Sequence, residues 1–443
     1  MKIRKKTKTL TTGEAAVLSS LSESYMLLPF MIFSALFSGT PFRVSFFIPV
    51  VIIYSIERAC LIGLRGFGEI SNPYRIMRAG LFIALSGAIL MIASFLYTPL
   101  LMISALLVGT GLAPFRAMFI PFFSSLTAAD PSLRKAKGVG TLLYFAIMTA
   151  ALTLGKLTLP VIPVLFLFYI AYSISVIMRL DGDSLFEGRS AFDTSKSSPA
   201  FFAFGILALL SLLILRQYQM SGVSVLMWLT PITVVAFVTI ELIRRRHYKD
   251  YSFQTYWIGG VKSFIMLYSL VYHTSVGNSS MAMYVYLAIA FSSIVAGPVG
   301  KLLKGRLSCN ACIMLSSVFA FLLTLPSEMM TTLGIVLSGL FANIAAAVVG
   351  RSYMGDERYV PEERALVRIR IQTTGSIIEQ LVLFFTIYVI GEYRLHENLL
   401  EPYAAGLPDP GISLKLRFAG FISASLLFVI AILITCFAGR KKK

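Results

Sequence analysis

Four ionisable side chains stand where an apolar chain accommodates them least: Glu23, Arg116, Lys262 and Glu379 each lie inside a run of hydrophobic residues. A charge at mid-bilayer depth costs at least ~2.5–3.5 kcal/mol on insertion scales, so such residues pair, face water or serve a pathway. Desolvated carboxyl groups exchange protons near neutral pH, which makes Glu23 and Glu379 candidates for proton coupling. Arg116 and Lys262 are candidates for contact with substrate charge, and Asn343, set among small residues, is a further polar contact. Each has a structural alternative. Lys262 and Glu379 could form a tether, and Asn343 could glue two helices. Arg116, between Pro114 and Pro121, could snorkel to the interface or bind carbonyls freed by a kink.

The elements that must position these groups follow from composition. Of 443 residues, 57% are hydrophobic and only 14% charged, against about a quarter charged in soluble domains. That balance excludes a single water-soluble core and points to an all-α polytopic membrane protein. Fourteen apolar runs have membrane-helix length: near 15–38, 42–62, 77–96, 98–122, 138–156, 158–178, 200–216, 222–243, 253–275, 281–300, 309–326, 330–350, 367–391 and 416–438. The basic start MKIRKKTK precedes a long first run containing Glu23, so it reads as the lead of a retained helix rather than a cleaved signal. With the N-terminus in the cytoplasm, the great majority of the 39 Lys and Arg fall on the inside, Arg58, Arg65, Arg75 and Arg78 among them. Arg43, Lys156, Arg216, Arg394, Lys415 and Arg417 fall outside. This asymmetry predicts both termini in the cytoplasm, and it explains the net charge of +18 as topology rather than as nucleic-acid binding.

An internal repeat is visible. Gly111, Asp130-Pro131-Ser-Leu-Arg134 and Gly138-Val-Gly140 correspond to Gly339, Val360-Pro361-Glu-Glu-Arg364 and Gly375. The loop around Glu69, Arg75 and Arg78 corresponds to that around Lys301, Lys304 and Arg306, and both are short, basic and Gly-bearing. Such loops can lock or release two bundles that rock against each other. The expected organisation is a six-helix bundle over 1–178, a cytoplasmic linker over 179–199, two extra helices over 200–243 and a second six-helix bundle over 244–443.

This 6+2+6 plan resembles the major facilitator superfamily, closest to its fourteen-span drug:proton antiporter arrangement. The segment from Glu241-Leu-Ile-Arg-Arg-Arg to GPVGKLLKGR looks most like that group. The resemblance implies that Glu69, Arg75, Arg78, Lys301, Lys304 and Arg306 form conformational loops. It also implies that spans 1, 4, 9 and 12 carry the solute site.

Four cysteines, Cys60, Cys309, Cys312 and Cys436, make no disulfide framework, and Cys309-Asn-Ala-Cys312 opens an apolar span rather than a redox motif. Neither a GxxxxGK loop nor HExxH is present, which disfavours an ATP-driven pump, an enzyme and any cofactor or metal. His273 is a possible pH-sensitive group. The expectation is a secondary transporter in a bacterial inner membrane, surrounded by lipid. It would move a small amphipathic or zwitterionic solute with a proton or other coupling ion. The alternatives are a flippase for lipids or lipid-linked glycans, whose cavity cations would bind phosphate, and a non-transporting scaffold.

Overall fold

The computed structural model describes residues 10–38, 44–155, 161–180, 182–215, 229–245, 251–303, 306–405 and 408–440. Helices dominate. They are α1 (Thr12–Ser24), α2 (Leu27–Ser38), α3 (Val44–Gly63), α4 (Pro73–Ala93), α5 (Leu100–Leu112), α6 (Phe115–Ala129), α7 (Arg134–Gly155), α8 (Val161–Met178) and the single turn α9 (Gly182–Leu185). There follow α10 (Pro199–Leu210), α11 (Leu229–Arg245), α12 (Ser252–Ser275), α13 (Ser279–Leu302), α14 (Cys309–Ala320), α15 (Glu328–Met354), α16 (Arg364–Val389), the short α17 (Glu401–Ala405) and α18 (Ser413–Arg440). Each of the fourteen expected runs holds a helix in its described part. Seven helices among the described residues are long and apolar enough to cross a membrane, or eight if the bent pair α1–α2 is one span. The protein is thus a multi-pass, predominantly helical membrane protein. The 24-residue α12 stays outside that group because polar side chains run along it, and α14, at 12 residues, is short.

Local chemistry explains the helix ends. Thr11 and Glu14 form a reciprocal capping box at the start of α1. Asn72 caps α4 with Pro73 at its first position, and Ser308 and Ser327 cap α14 and α15. Two interruptions matter more. The first helix breaks at Tyr25 and Met26, where α1 and α2 meet at 63°. Span 4 is interrupted between Leu112 and Phe115, where Pro114 supplies no backbone N–H.

The chain folds into two compact units. One holds the described residues of 10–38 and 45–209 together with Glu357–Val367; the other holds those of 210–356 and 368–440. In the first unit α1 packs on α7, and α4 on α5, α6 and α8. In the second, α12 packs on α13, α15 and α18, and α14 on α15. Segment 182–198, expected as a plain linker, is an ordered strap. Its strand β2 (Phe192–Asp193) pairs antiparallel with β1 (Glu69–Ile70), Glu69 opposite Asp193 and Ile70 opposite Phe192. Gly68, at φ +134°, lies against the Asp193 carbonyl, a conformation and an approach that exclude a side chain.

The sequence repeat has a structural counterpart in part. A Cβ at Gly140 of α7 would lie 2.6 Å from Ser19 Cβ and 2.7 Å from the Ala16 carbonyl of α1. Gly375 of α16 meets the Tyr256 carbonyl of α12, and Gly259 of α12 meets that of Gln372. In each unit, then, the fifth long segment lies almost backbone-to-backbone on the first. Gly111 and Gly339 do not match in this way: Gly111 faces the Gly80 carbonyl of α4, and Gly339 faces Ser292 of α13.

A pair of substitutions separates close approach from helix propensity. Gly138, two residues from Gly140, has nothing within 4 Å of an added Cβ. Gly138→Ala should leave the melting temperature of the detergent-purified protein unchanged or raise it, since Ala is favoured by about 1 kcal/mol in a helix. Gly140→Ala should lower it, because overpacking typically costs about 1–3 kcal/mol. Equal melting temperatures for the two variants would show that α1 and α7 are not held this closely.

Candidate functional site

In the first unit the two charges of spans 1 and 4 meet. Glu23 is the second-last residue of α1, just before its break, and Arg116 is the second residue of α6, just after the Pro114 interruption. Arg116 Nη2 lies 3.3 Å from Glu23 Oε2, with side-chain exposures of 33% and 24%. The guanidinium is therefore engaged by a carboxylate. Tyr25, within the break, has its ring centroid 6.0 Å from Arg116 Cζ. The Tyr144 hydroxyl of α7, on a buried residue, feels the charges of both Glu23 and Arg116. The result is a half-buried ion pair flanked by two phenols, between the α1–α2 break and the Pro114 turn.

Beside it stands a pair that reading the sequence missed. Glu57 and Arg58 of α3 are each 4% exposed. Arg58 Cζ lies 3.4 Å from the Tyr54 ring centroid, and its Nη1 lies 3.6 Å from Met26 Sδ and 4.0 Å from Glu57 Oε2. Arg58 had counted among the cytoplasmic basic residues; the structure places it in a buried position on α3. The signal was present in Ile-Tyr-Ser-Ile-Glu-Arg-Ala-Cys, where two opposite charges interrupt an apolar run that resumes after them.

In the second unit Glu379 of α16 is 6% exposed, with its Cβ 3.4 Å from the place a Cβ would take on Gly260 of α12. Its Oε1 has no hydrogen-bond partner, and Glu379 makes no ion pair, among the described residues. The Lys262–Glu379 tether is therefore not formed. Lys262 is half-buried on α12. Asn343 Nδ2 donates to Ser293 Oγ at 3.1 Å and lies 3.4 Å from Ser292 Oγ, joining α15 to α13. His273 is buried against Tyr272, whose ring lies 4.4 Å from Arg417 Cζ.

The loop residues divide sharply. Glu69 pairs with Lys196 of the strap. The Ile70 N–H donates to Glu363 Oε1 at 3.1 Å, and Arg65 Nε lies 3.2 Å from the same oxygen. Arg75 Nε donates to Asp183 Oδ1 at 2.7 Å and Asn72 Nδ2 does so at 2.9 Å, while Arg78 lies near the Tyr74 ring. Partial burial works against ionisation of Asp183, but the bonds from Arg75 and Asn72 outweigh it and hold the carboxyl below its usual range. Lys301 and Arg306 are exposed at the end of α13, and Lys304 lies outside the described residues. Cys309 and Cys312 are free thiols on the first turn of α14. Among the described residues no group of three or more His, Cys, Asp or Glu is placed to hold a metal.

No family model matches the chain, and no curated protein matches it in sequence. Solved structures do match its fold. The nucleoside transporter NupG aligns over 96% of this chain and 97% of its own, with TM-score 0.55 and 11% identity. A POT family transporter in complex with a thioalcohol-conjugated peptide aligns over 97% and 96%, with TM-score 0.60 and 10% identity. The human organic anion transporter MFSD10 (TETRAN) aligns over 94% and 97%, with TM-score 0.51 and 14% identity. At these identities the likeness is one of fold, and the fold is of the major-facilitator type.

The strap yields a direct test. Asp183→Ala removes the acceptor shared by Arg75 and Asn72. Discounted for its exposure, the lost clasp is worth about 1 kcal/mol, so trypsin should cut the purified protein at Arg189 or Lys196 about fivefold faster. Because the Asp183 carboxyl titrates below its usual range, the clasp holds at all pH values above that range and is lost only as pH falls through its lowered value. Unchanged cleavage of the variant would show that the strap is held elsewhere.

Proposed function

We propose that this chain is a secondary active transporter that moves a small zwitterionic or amphipathic solute by alternating access, with protons as the coupling ion. In this reading fourteen spans cross a bacterial inner membrane with both termini in the cytoplasm, the bundles 1–178 and 244–443 are the moving parts, and 200–243 is inserted between them. The observation that carries it is the Glu23–Arg116 pair, half-buried where the α1–α2 break meets the Pro114 turn of span 4. A structural ion pair satisfies itself; one set at interrupted backbone, partly open and flanked by Tyr25 and Tyr144, can exchange its internal contact for the two ends of a zwitterion. The solute's carboxylate would take the Arg116 fork and its ammonium group the Glu23 carboxylate. Lys262 and Asn343 are further candidate solute contacts, and Glu379, whose buried Oε1 has no hydrogen-bond partner among the described residues, carries a proton. Glu69, Arg75, Arg78, Lys301, Lys304 and Arg306 act at the cytoplasmic loops. Neither an enzyme nor a flippase has a specific observation in its favour; the neighbours of the fold are named for nucleosides, peptides and organic anions.

Those names set the probes. Purified protein in liposomes, under an inward pH gradient, should accumulate radiolabelled dialanine or uridine above equilibrium. Arg116→Gln should cut dialanine uptake at least about tenfold, the loss of one charge-assisted bidentate contact being worth about 1.5–3 kcal/mol. Absence of gradient-driven uptake of both probes by the wild type, or full uptake by Arg116→Gln, would defeat this reading.

A further inference from the structure

The Glu57–Arg58 pair has no part in the roles above, and its two members are unequally served. Arg58 has the Tyr54 ring at 3.4 Å, Met26 Sδ at 3.6 Å and the Tyr54 carbonyl at 3.5 Å. Glu57 has only a long contact: Oε2 lies 4.0 Å from Arg58 Nη1, while the buried Oε1 has no hydrogen-bond partner among the described residues. An ionised carboxylate in that position is poorly compensated for its lost water, whereas a protonated one brings no charge to compensate. Glu23 differs. It is about a quarter exposed and held at 3.3 Å by Arg116, so its charge is satisfied.

One group stands near both pairs. The Tyr25 hydroxyl, at the α1–α2 break, feels the charges of Glu57, Arg116, Arg58 and Glu23 together. On α3 itself the titratable neighbours are Tyr54, whose ring lies under the Arg58 guanidinium, and Cys60, whose thiol feels the Glu57 charge. On α7 there is Tyr144, beyond the Glu23–Arg116 pair. With both acids ionised these four charges sum to zero. One proton on Glu57 makes the cluster positive without disturbing Glu23 or Arg116, and a positive cluster attracts a solute's carboxylate. Solute binding and proton binding would then favour each other.

We propose that Glu57 is a proton-binding site of the first unit, distinct from Glu23 and Glu379, and that its protonation couples proton entry to solute binding. The O–H bond forms at Oε1 with a proton taken from water on the acidic side, while Arg58 keeps its place on Tyr54. It breaks when that proton returns to water on the other side and the Glu57–Arg58 pair is restored. No electrons are transferred. The coupling role rests on the transporter reading; the proton site itself does not.

Infrared difference spectra of the purified full chain in liposomes, taken across a pH jump, should contain a protonated-carboxyl band that Glu57→Gln removes. Glu57→Asp, which retains the acid if the amide variant fails to fold, should shift that band. A band unchanged in both variants overturns the proposal. In transport, Glu57→Gln should keep dialanine exchange at equal pH within about threefold of wild type. Its accumulation under a one-unit pH gradient should fall about tenfold, one coupled proton being worth a factor of ten per unit. Undiminished accumulation overturns the coupling role. If the wild type moves neither dialanine nor uridine, the transporter reading fails while the infrared band still decides whether Glu57 binds a proton.

Discussion

A charge carried into hydrocarbon must find its opposite inside the protein, and this constraint organises the first unit. Glu23 and Arg116 lie on different helices and meet beside the α1–α2 break and the Pro114 turn. An unbroken α1–α2 would carry Glu23 along a straight axis; the 63° bend puts it at a corner where Tyr25 and Arg116 converge. The ion pair and the phenols of Tyr25 and Tyr144 meet there, so polarity is concentrated in one place instead of being spread along two spans.

Within each unit the packing is built from small residues. Gly140 lets α7 rest on Ala16 and Ser19, and Gly259 and Gly375 let α16 rest on α12. Without a hydrophobic driving force between helices in lipid, such close van der Waals contact is the main source of association. Ser316 and Ser338 add reciprocal hydroxyl-to-carbonyl bonds of 2.8 Å between α14 and α15. The two units share the glycine device on their first and fifth segments but not at Gly111 and Gly339, so the repeat is conserved as a packing rule and not residue by residue.

The positions of the helices were legible because apolar runs of membrane length are the strongest signal a sequence carries, and all fourteen runs hold helix. Glu23 and Arg116 were legible as anomalies within such runs, but their contact was not, because about ninety residues separate them and no local pattern encodes the break that joins them. Glu57 was overlooked because Arg58 beside it fitted the expectation of basic residues at a cytoplasmic helix end. The strap was hidden for another reason. Arg189–Pro199 looks like a solvated linker by composition, and its order comes from partners far away: Glu69 for Lys196, Ile70 for Phe192, and, for the preceding turn, Arg75 for Asp183.

The distance between Glu23 and Arg116 along the chain also sets a schedule for biogenesis. The first span leaves the ribosome with an acid whose counter-charge has not been made. At about 5–20 residues per second, the wait for Arg116 is roughly 5–20 s. Until then the nascent segment cannot be released to lipid at little cost, so it has to linger beside the insertion machinery or near water. Its counter-charge comes only with the fourth span and its packing partner α7 only after that, which makes assembly of this half order-dependent.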